Sequence, residues 1–112
     1  MAGLEDAFHR RMLELGRRCY AHNYPARGFL QKVNEVGGVA AAKYWLHQPK
    51  TPGDSHQSGL DTLWEMAHDG RWPTALEESM EYVVSREREW RPLFTTDERH
   101  IADLRYRLYI EL

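Results

Sequence analysis

An all-α domain, a single compact bundle of about six short helices, is what this sequence predicts, and three observations carry the prediction. Apolar residues recur three and four positions apart in each segment between the prolines and glycines. No segment alternates apolar and polar side chains over enough length to make a strand. Thr95 followed by Glu98 forms the sequence signature of a capping box, in which each residue's side chain satisfies the other's backbone N–H.

The first helix is expected from Leu4 to His22, because Leu4, Phe8, Met12, Leu15 and Cys19 fall on one face at 3.6 residues per turn. Arg10, Arg11, Glu14, Arg17 and Arg18 fill the other side, interrupted by a small apolar patch of Leu13 and Tyr20, seven residues apart. That patch either meets another helix or is exposed for a partner. Pro25 suits the first turn of a second helix, in which Phe29, Leu30, Val33 and Val36 form the stripe until Gly37-Gly38 ends it. A third helix, Val39 to His47, is apolar on most sides and is expected at the centre.

Pro49, Pro52, Gly53, Asp54, Ser55 and Ser58 give the stretch Gln48 to Gly59 the composition of a mobile surface loop. Leu60, Leu63, Trp64 and Ala67 mark a short fourth helix that stops near Asp69-Gly70. Trp72-Pro73-Thr74 leads into a fifth, where Thr74 and Glu77 repeat the cap-plus-glutamate spacing and Leu76, Met80, Val83 and Val84 supply the stripe. The last helix begins after Thr95 and is expected to bury Ile101, Leu104 and Leu108, with Tyr106 and Tyr109 towards its flanks. Trp90, Leu93 and Phe94 are expected to pin it to the bundle.

At 112 residues the chain fits one domain able to bury a core without metal or disulfide help. Its one cysteine, Cys19, cannot form an internal bridge. With a charged start that lacks the pattern of a signal peptide, this points to a reducing, cytoplasmic setting. No apolar run approaches the roughly 18 residues that span a bilayer, so a soluble protein without a membrane partner is expected.

Net charge is −2, too small for a binder of nucleic acid held by overall basicity. The distribution is uneven: residues 1 to 50 carry eight Lys or Arg against four Asp or Glu, and residues 51 to 112 carry seven against thirteen. If the halves face apart, the molecule is a dipole that could steer a charged partner or favour head-to-tail homo-oligomers.

No coherent catalytic set emerges. Glu65 and His68 have the E-x-x-H spacing of carboxylate-bridged metal bundles, but no second copy exists. Cys19 and His22 have metal-like spacing without a second pair, and Cys19 lies on the apolar stripe. The six histidines, His9, His22, His47, His56, His68 and His100, follow no spacing rule. His100 with Asp103 is an ordinary i,i+3 polar pair. Gly37-Gly38 lacks the strand and the Lys-Ser/Thr of a phosphate loop. No enzymatic activity, cofactor or metal is expected.

The stretch Pro25 to Leu46 invites comparison with a helix-turn-helix, yet its second helix presents apolar residues where base edges require polar ones. Arg10, Arg11, Arg17, Arg18 and Lys32 could still form a patch that contacts a nucleic-acid backbone, which is the alternative reading. The favoured one starts from four Trp and six Tyr, more than a small core needs. Trp72 and Trp90, each standing before a proline elbow, are the tryptophans expected to be at least half-exposed. Leu13, Tyr20 and Trp72 are the candidate contacts of a non-enzymatic interaction module that binds a protein partner.

The chain also resembles a family of small bacterial proteins of uncharacterised function. The pieces are Phe29-Leu30-Gln31 with Gly37-Gly38 and Ala41-Ala42, then Gly59-Leu60 with Leu63-Trp64-Glu65, then Trp90-Arg91-Pro92-Leu93-Phe94-Thr95. They extend from about Phe8 to Leu108. The chain departs after Trp64, where His68-Asp69-Gly70-Arg71-Trp72-Pro73 replaces a Gly-Arg-Leu-Asp-like turn. The resemblance implies a helical fold and transfers no catalytic residue.

Overall fold

The computed structural model describes residues 3–48 and 58–111. Six α-helices follow in order: α1 Leu4–Ala21, α2 Arg27–Val36, α3 Gly38–Leu46, α4 Ser58–His68, α5 Met80–Arg86 and α6 Thr96–Ile110. Two 3-10 segments, Ala75–Glu78 and Arg88–Leu93, lead into and out of α5, and no strand occurs among the described residues. No helix among them is long and apolar enough to cross a membrane. Most of the loop expected over Gln48 to Gly59, His56 included, lies outside the described residues. Its last two positions, Ser58 and Gly59, already belong to α4.

The expected stripe of α1 is its buried face: Phe8 and Met12 are fully enclosed, and Leu15 and Cys19 nearly so. Its first half enters a core with Val33 of α2, Ala41, Ala42 and Leu46 of α3, Val83 and Val84 of α5, and Trp90 and Phe94. Phe8 meets the edges of Trp90 and Phe94 at centroid distances of 5.3 and 5.2 Å, pairings worth about 0.5–1.5 kcal/mol each beyond area burial. Leu93 packs beside them, so the Trp90–Phe94 elbow holds α6 to the bundle as expected. The end of α1 enters a second cluster, where Cys19 meets Ala26, Leu63, Met66, Trp72 and Ala75.

Asn23, at φ 64°, ends α1, with the Tyr24 N–H returning to the Cys19 carbonyl at 2.9 Å. Pro25 stands outside α2 rather than in its first turn, because Ala26 takes the left-handed φ of 46° before the helix starts at Arg27. The double glycine has two separate causes. Gly37 turns the chain between α2 and α3 at φ 91°, a conformation side chains resist, whereas Gly38 lets α3 touch α1. A Cβ on Gly38 would lie 2.7 Å from the His9 Cα, and the Gly38 N–H donates to His9 Nδ1 at 3.0 Å.

The expected cap at Thr74 does not form. Thr74 precedes a single 3-10 turn, and the cap of α5 is Ser79, whose hydroxyl accepts from the Tyr82 N–H at 3.1 Å and donates to the Leu76 carbonyl. The capping box of α6 does form: Thr95 Oγ1 accepts from the Glu98 N–H and Glu98 Oε1 from the Thr95 N–H.

The face that α6 buries is not the expected one. Glu98, Ala102, Arg105, Tyr106 and Tyr109 point inward, Ile101 is half-buried, and Leu104 and Leu108 are 43% and 48% exposed. The cause is polar. Glu98 accepts from Lys43 Nζ at 2.8 Å and bonds His47 Nε2 at 3.0 Å. Arg105 returns the bond two turns later, donating to the carbonyls of Trp45, Leu46 and Gln48 at the end of α3. Two reciprocal sets of bonds set the rotation of α6 about its axis, and the leucines fall outside.

Burial would push the Glu98 carboxyl up, but Lys43, the Thr95 N–H and His47 overcome it and hold the group near 2, against an ordinary 4.5. A folded value below the unfolded one stabilises above about pH 4.5, and that stability is lost as pH falls towards 2, an effect of about 3 kcal/mol. Urea unfolding of wild type and Glu98→Gln should therefore show their largest stability gap above pH 5 and a gap that closes towards pH 2. A constant gap would contradict the assignment. Gly38→Ala should cost about 1–3 kcal/mol in the same assay, because α1 or α3 must shift. Gly28→Ala, where an added Cβ meets nothing within 4 Å, should be neutral or stabilising.

Candidate interaction surface on the first helix

Opposite its buried stripe, α1 presents Arg10, Leu13, Arg17 and Tyr20, spaced i, i+3, i+7 and i+10 along one face. Leu13 divides itself between this face and the core, half-buried against the first cluster. Tyr20 is 72% exposed, the most open of the large apolar side chains. The guanidinium groups of Arg10 and Arg17 are exposed and meet no carboxylate among the described residues.

The other three cations expected to join them are occupied. Arg11 grips Glu87 with two bonds, Nε to Oε1 at 3.1 Å and Nη2 to Oε2 at 2.8 Å, and also reaches Glu14 at 3.1 Å. The bond to Glu87 raises the arginine's pKa despite its burial, an effect that the Glu87 and Glu14 charges reinforce. Glu87 is shifted down: burial opposes its charge, but Arg11 and the Trp90 indole N–H at 2.8 Å outweigh that cost. Arg18 lies 3.4 Å from Glu14 and 3.3 Å from Glu78. Lys32 belongs to α2 and rests over the Tyr44 ring of α3 at 4.2 Å, a cation–π contact. The five cations thus separate into a free pair on α1, two neutralised arginines and a distant lysine.

Trp72 does not join Leu13 and Tyr20. It is 6% exposed, its ring stacked at 3.8 Å and 3° on His22, and its backbone N–H donates to the Met66 carbonyl. Trp90 is equally buried, at 5%. Both proline elbows turn their indoles inward, and the half-exposed tryptophans are Trp45 and Trp64, stacked on Phe29 and His68.

The metal-like spacings stay apart. Glu65 and His68 are both exposed, and no three His, Cys, Asp or Glu side chains are grouped as ligands among the described residues. His22 is spent on Trp72 and on the Arg18 carbonyl at 2.9 Å. Asp103 pairs with Arg86 at 2.8 Å and Arg107 at 3.3 Å instead of His100. Burial, helped by the charge of Glu78, pushes the Cys19 thiol up to about 11. No family model, curated protein or solved structure matches the chain.

The Cys19 environment makes a direct prediction. Moving a thiol from 9.0 to about 11 lowers its thiolate fraction about 100-fold, and burial slows access further. A disulfide reagent at pH 8 should therefore label native protein at least about 100-fold more slowly than the same chain in denaturant. Labelling at similar rates would show an accessible, activated thiol.

Proposed function

We propose that the protein is a non-enzymatic interaction module, working in a reducing, cytoplasmic setting, whose α1 face docks an acidic segment of a protein partner. The observation that carries this reading is the contrast between neighbours on one helix. Arg11 and Arg18 are matched to carboxylates, while Arg10 and Arg17 share a face with Leu13 and Tyr20 and have none. An exposed aromatic on the same face as two free guanidiniums suits a partner that brings carboxylates and an apolar anchor. Interaction through the α1 face leaves Trp72 out of the contact set, since its ring is already covered.

Nucleic-acid binding is the weaker reading, because two of its five cations are neutralised and a third lies on another helix. The non-enzymatic part rests on Cys19, a thiol that burial holds protonated, and on His47, whose carboxylate partner Glu98 is already engaged by Lys43 and the Thr95 N–H in tying α3 to α6.

A fluorescent helical peptide carrying Glu and Asp around Leu and Phe anchors tests the reading against a scrambled basic peptide and a 20-base-pair DNA duplex. Wild type should bind the acidic peptide, Arg10→Glu/Arg17→Glu should weaken binding at least tenfold, and Tyr20→Ala by about tenfold, with unchanged circular dichroism. Equal affinity for the basic peptide, or preferential DNA binding that falls steeply with salt, would overturn it.

A further inference from the structure

A cavity of about 400 Å³ opens where α1, α2, α4 and the approach to α5 meet, within the range of small-molecule sites. Leu15, Leu60, Leu63 and Met80 give it apolar walls. Phe29 and Trp45, stacked with centroids 5.1 Å apart, add aromatic surface, and Tyr24 lies on the same lining.

Two carboxyl groups line this cavity, one on the mostly covered Glu78 and one on the buried Glu81. Glu78 spends Oε1 on the Arg18 guanidinium at 3.3 Å, while its Oε2 is buried with no hydrogen-bond partner. Glu81 is 5% exposed, and its carboxyl makes no hydrogen bond or ion pair with any described residue. Arg105 feels the charge of Glu81 but gives its own donors to the α3 carbonyls. A buried acceptor such as Glu78 Oε2 is costly to leave unmet, and a donor brought by a ligand would complete it. Arg27, the cation on the lining, is exposed at the mouth, where water screens it.

We infer that this cavity is a binding site for an organic cation, an alkylammonium or arylalkylammonium group whose N–H donors meet Glu78 Oε2 and Glu81 while its apolar body fills the space between Phe29, Trp45 and Leu63. The chemistry favours a cation over a neutral donor on two counts. Both carboxyl groups on the lining carry negative charge when ionised, and Phe29 and Trp45 supply aromatic surface of the kind that attracts positive charge. An anion would meet buried carboxylates. The cation can come from a free amine or from a lysine side chain of a peptide, and both present the same ammonium head.

Titration of the full chain with phenethylamine, followed by two-dimensional amide NMR, tests the site against 2-phenylethanol and phenylacetate, which share its body. A peptide with one Lys among Gly and Ser distinguishes the two sources. Phenethylamine or the lysine peptide should shift the amides of Cys19, Phe29, Leu63 and Glu78 and bind at least tenfold more tightly than the alcohol, with no binding of phenylacetate. The tighter of the two cations identifies the source. Glu78→Gln and Glu81→Gln, isosteric changes, should each weaken the amine about tenfold and leave the alcohol unchanged. Equal binding of amine and alcohol, or no shift of cavity amides by either cation at 10 mM, overturns the proposal and needs no variant to fold.

Discussion

The Glu98 carboxylate joins three parts of the chain that are far apart in sequence. It closes the capping box of α6, receives Lys43 from the side of α3 and bonds His47 at its end. Because the group is buried, each bond must be made together with the others, or a charge is left without compensation. Arg105, two turns further along α6, answers from the opposite direction by occupying carbonyls that α3 cannot satisfy internally at its terminus. The two helices are thereby held in one register and one rotation. Ala102, between the polar ties, and Tyr106, just past the second, inherit their burial from that rotation.

A second consequence concerns charge. The basic first half of the chain does not face apart from the acidic second half as a simple dipole. Its cations fold back onto that half: Arg11 on Glu87, Arg18 on Glu78, Lys43 on Glu98. Part of the charge asymmetry of the sequence is consumed in joining its halves, and Arg10 and Arg17 are the α1 cations that remain after the matching. That remainder is more informative than the total, since unmatched charge beside an exposed ring is the feature that folding does not account for.

Local signals in the sequence proved to be the readable ones. The capping box at Thr95 and Glu98, the break at Gly37-Gly38 and the stripe of α1 each depend on residues within a few positions, and each appears where expected. The face of α6 was not legible, because periodicity cannot separate a buried polar row held by another helix from a solvated one. Leu104 and Leu108 look like core until Lys43 and His47 are known to meet Glu98. The same limit hides the fate of Arg11, whose partner lies 76 residues away. Trp72 and Trp90 misled for a related reason: a proline marks a turn but not the side to which the preceding ring is directed. Of the candidate surface, Tyr20, Arg10 and Arg17 could be read from the helical wheel, whereas which arginines stay free could not.

The cavity follows from the division of the core. α1, at 18 residues, is long enough to serve both clusters, with Leu15 in the first and Cys19, one turn on, in the second. The shorter helices serve one cluster more than the other. Leu15 and Met80 of the first cluster and Cys19, Ala26 and Leu63 of the second line the same space. A seam of this kind would ordinarily be closed with apolar side chains, at a gain of about 25 cal/mol for each Å² removed from water. Here the chain places Glu78 and Glu81 on it, beside a 3-10 turn that must stop before Ser79 can cap α5. Two carboxyl groups at a position where leucine would stabilise the fold are not explained by packing, and the buried, unmet Oε2 of Glu78 is what a bound donor would complete.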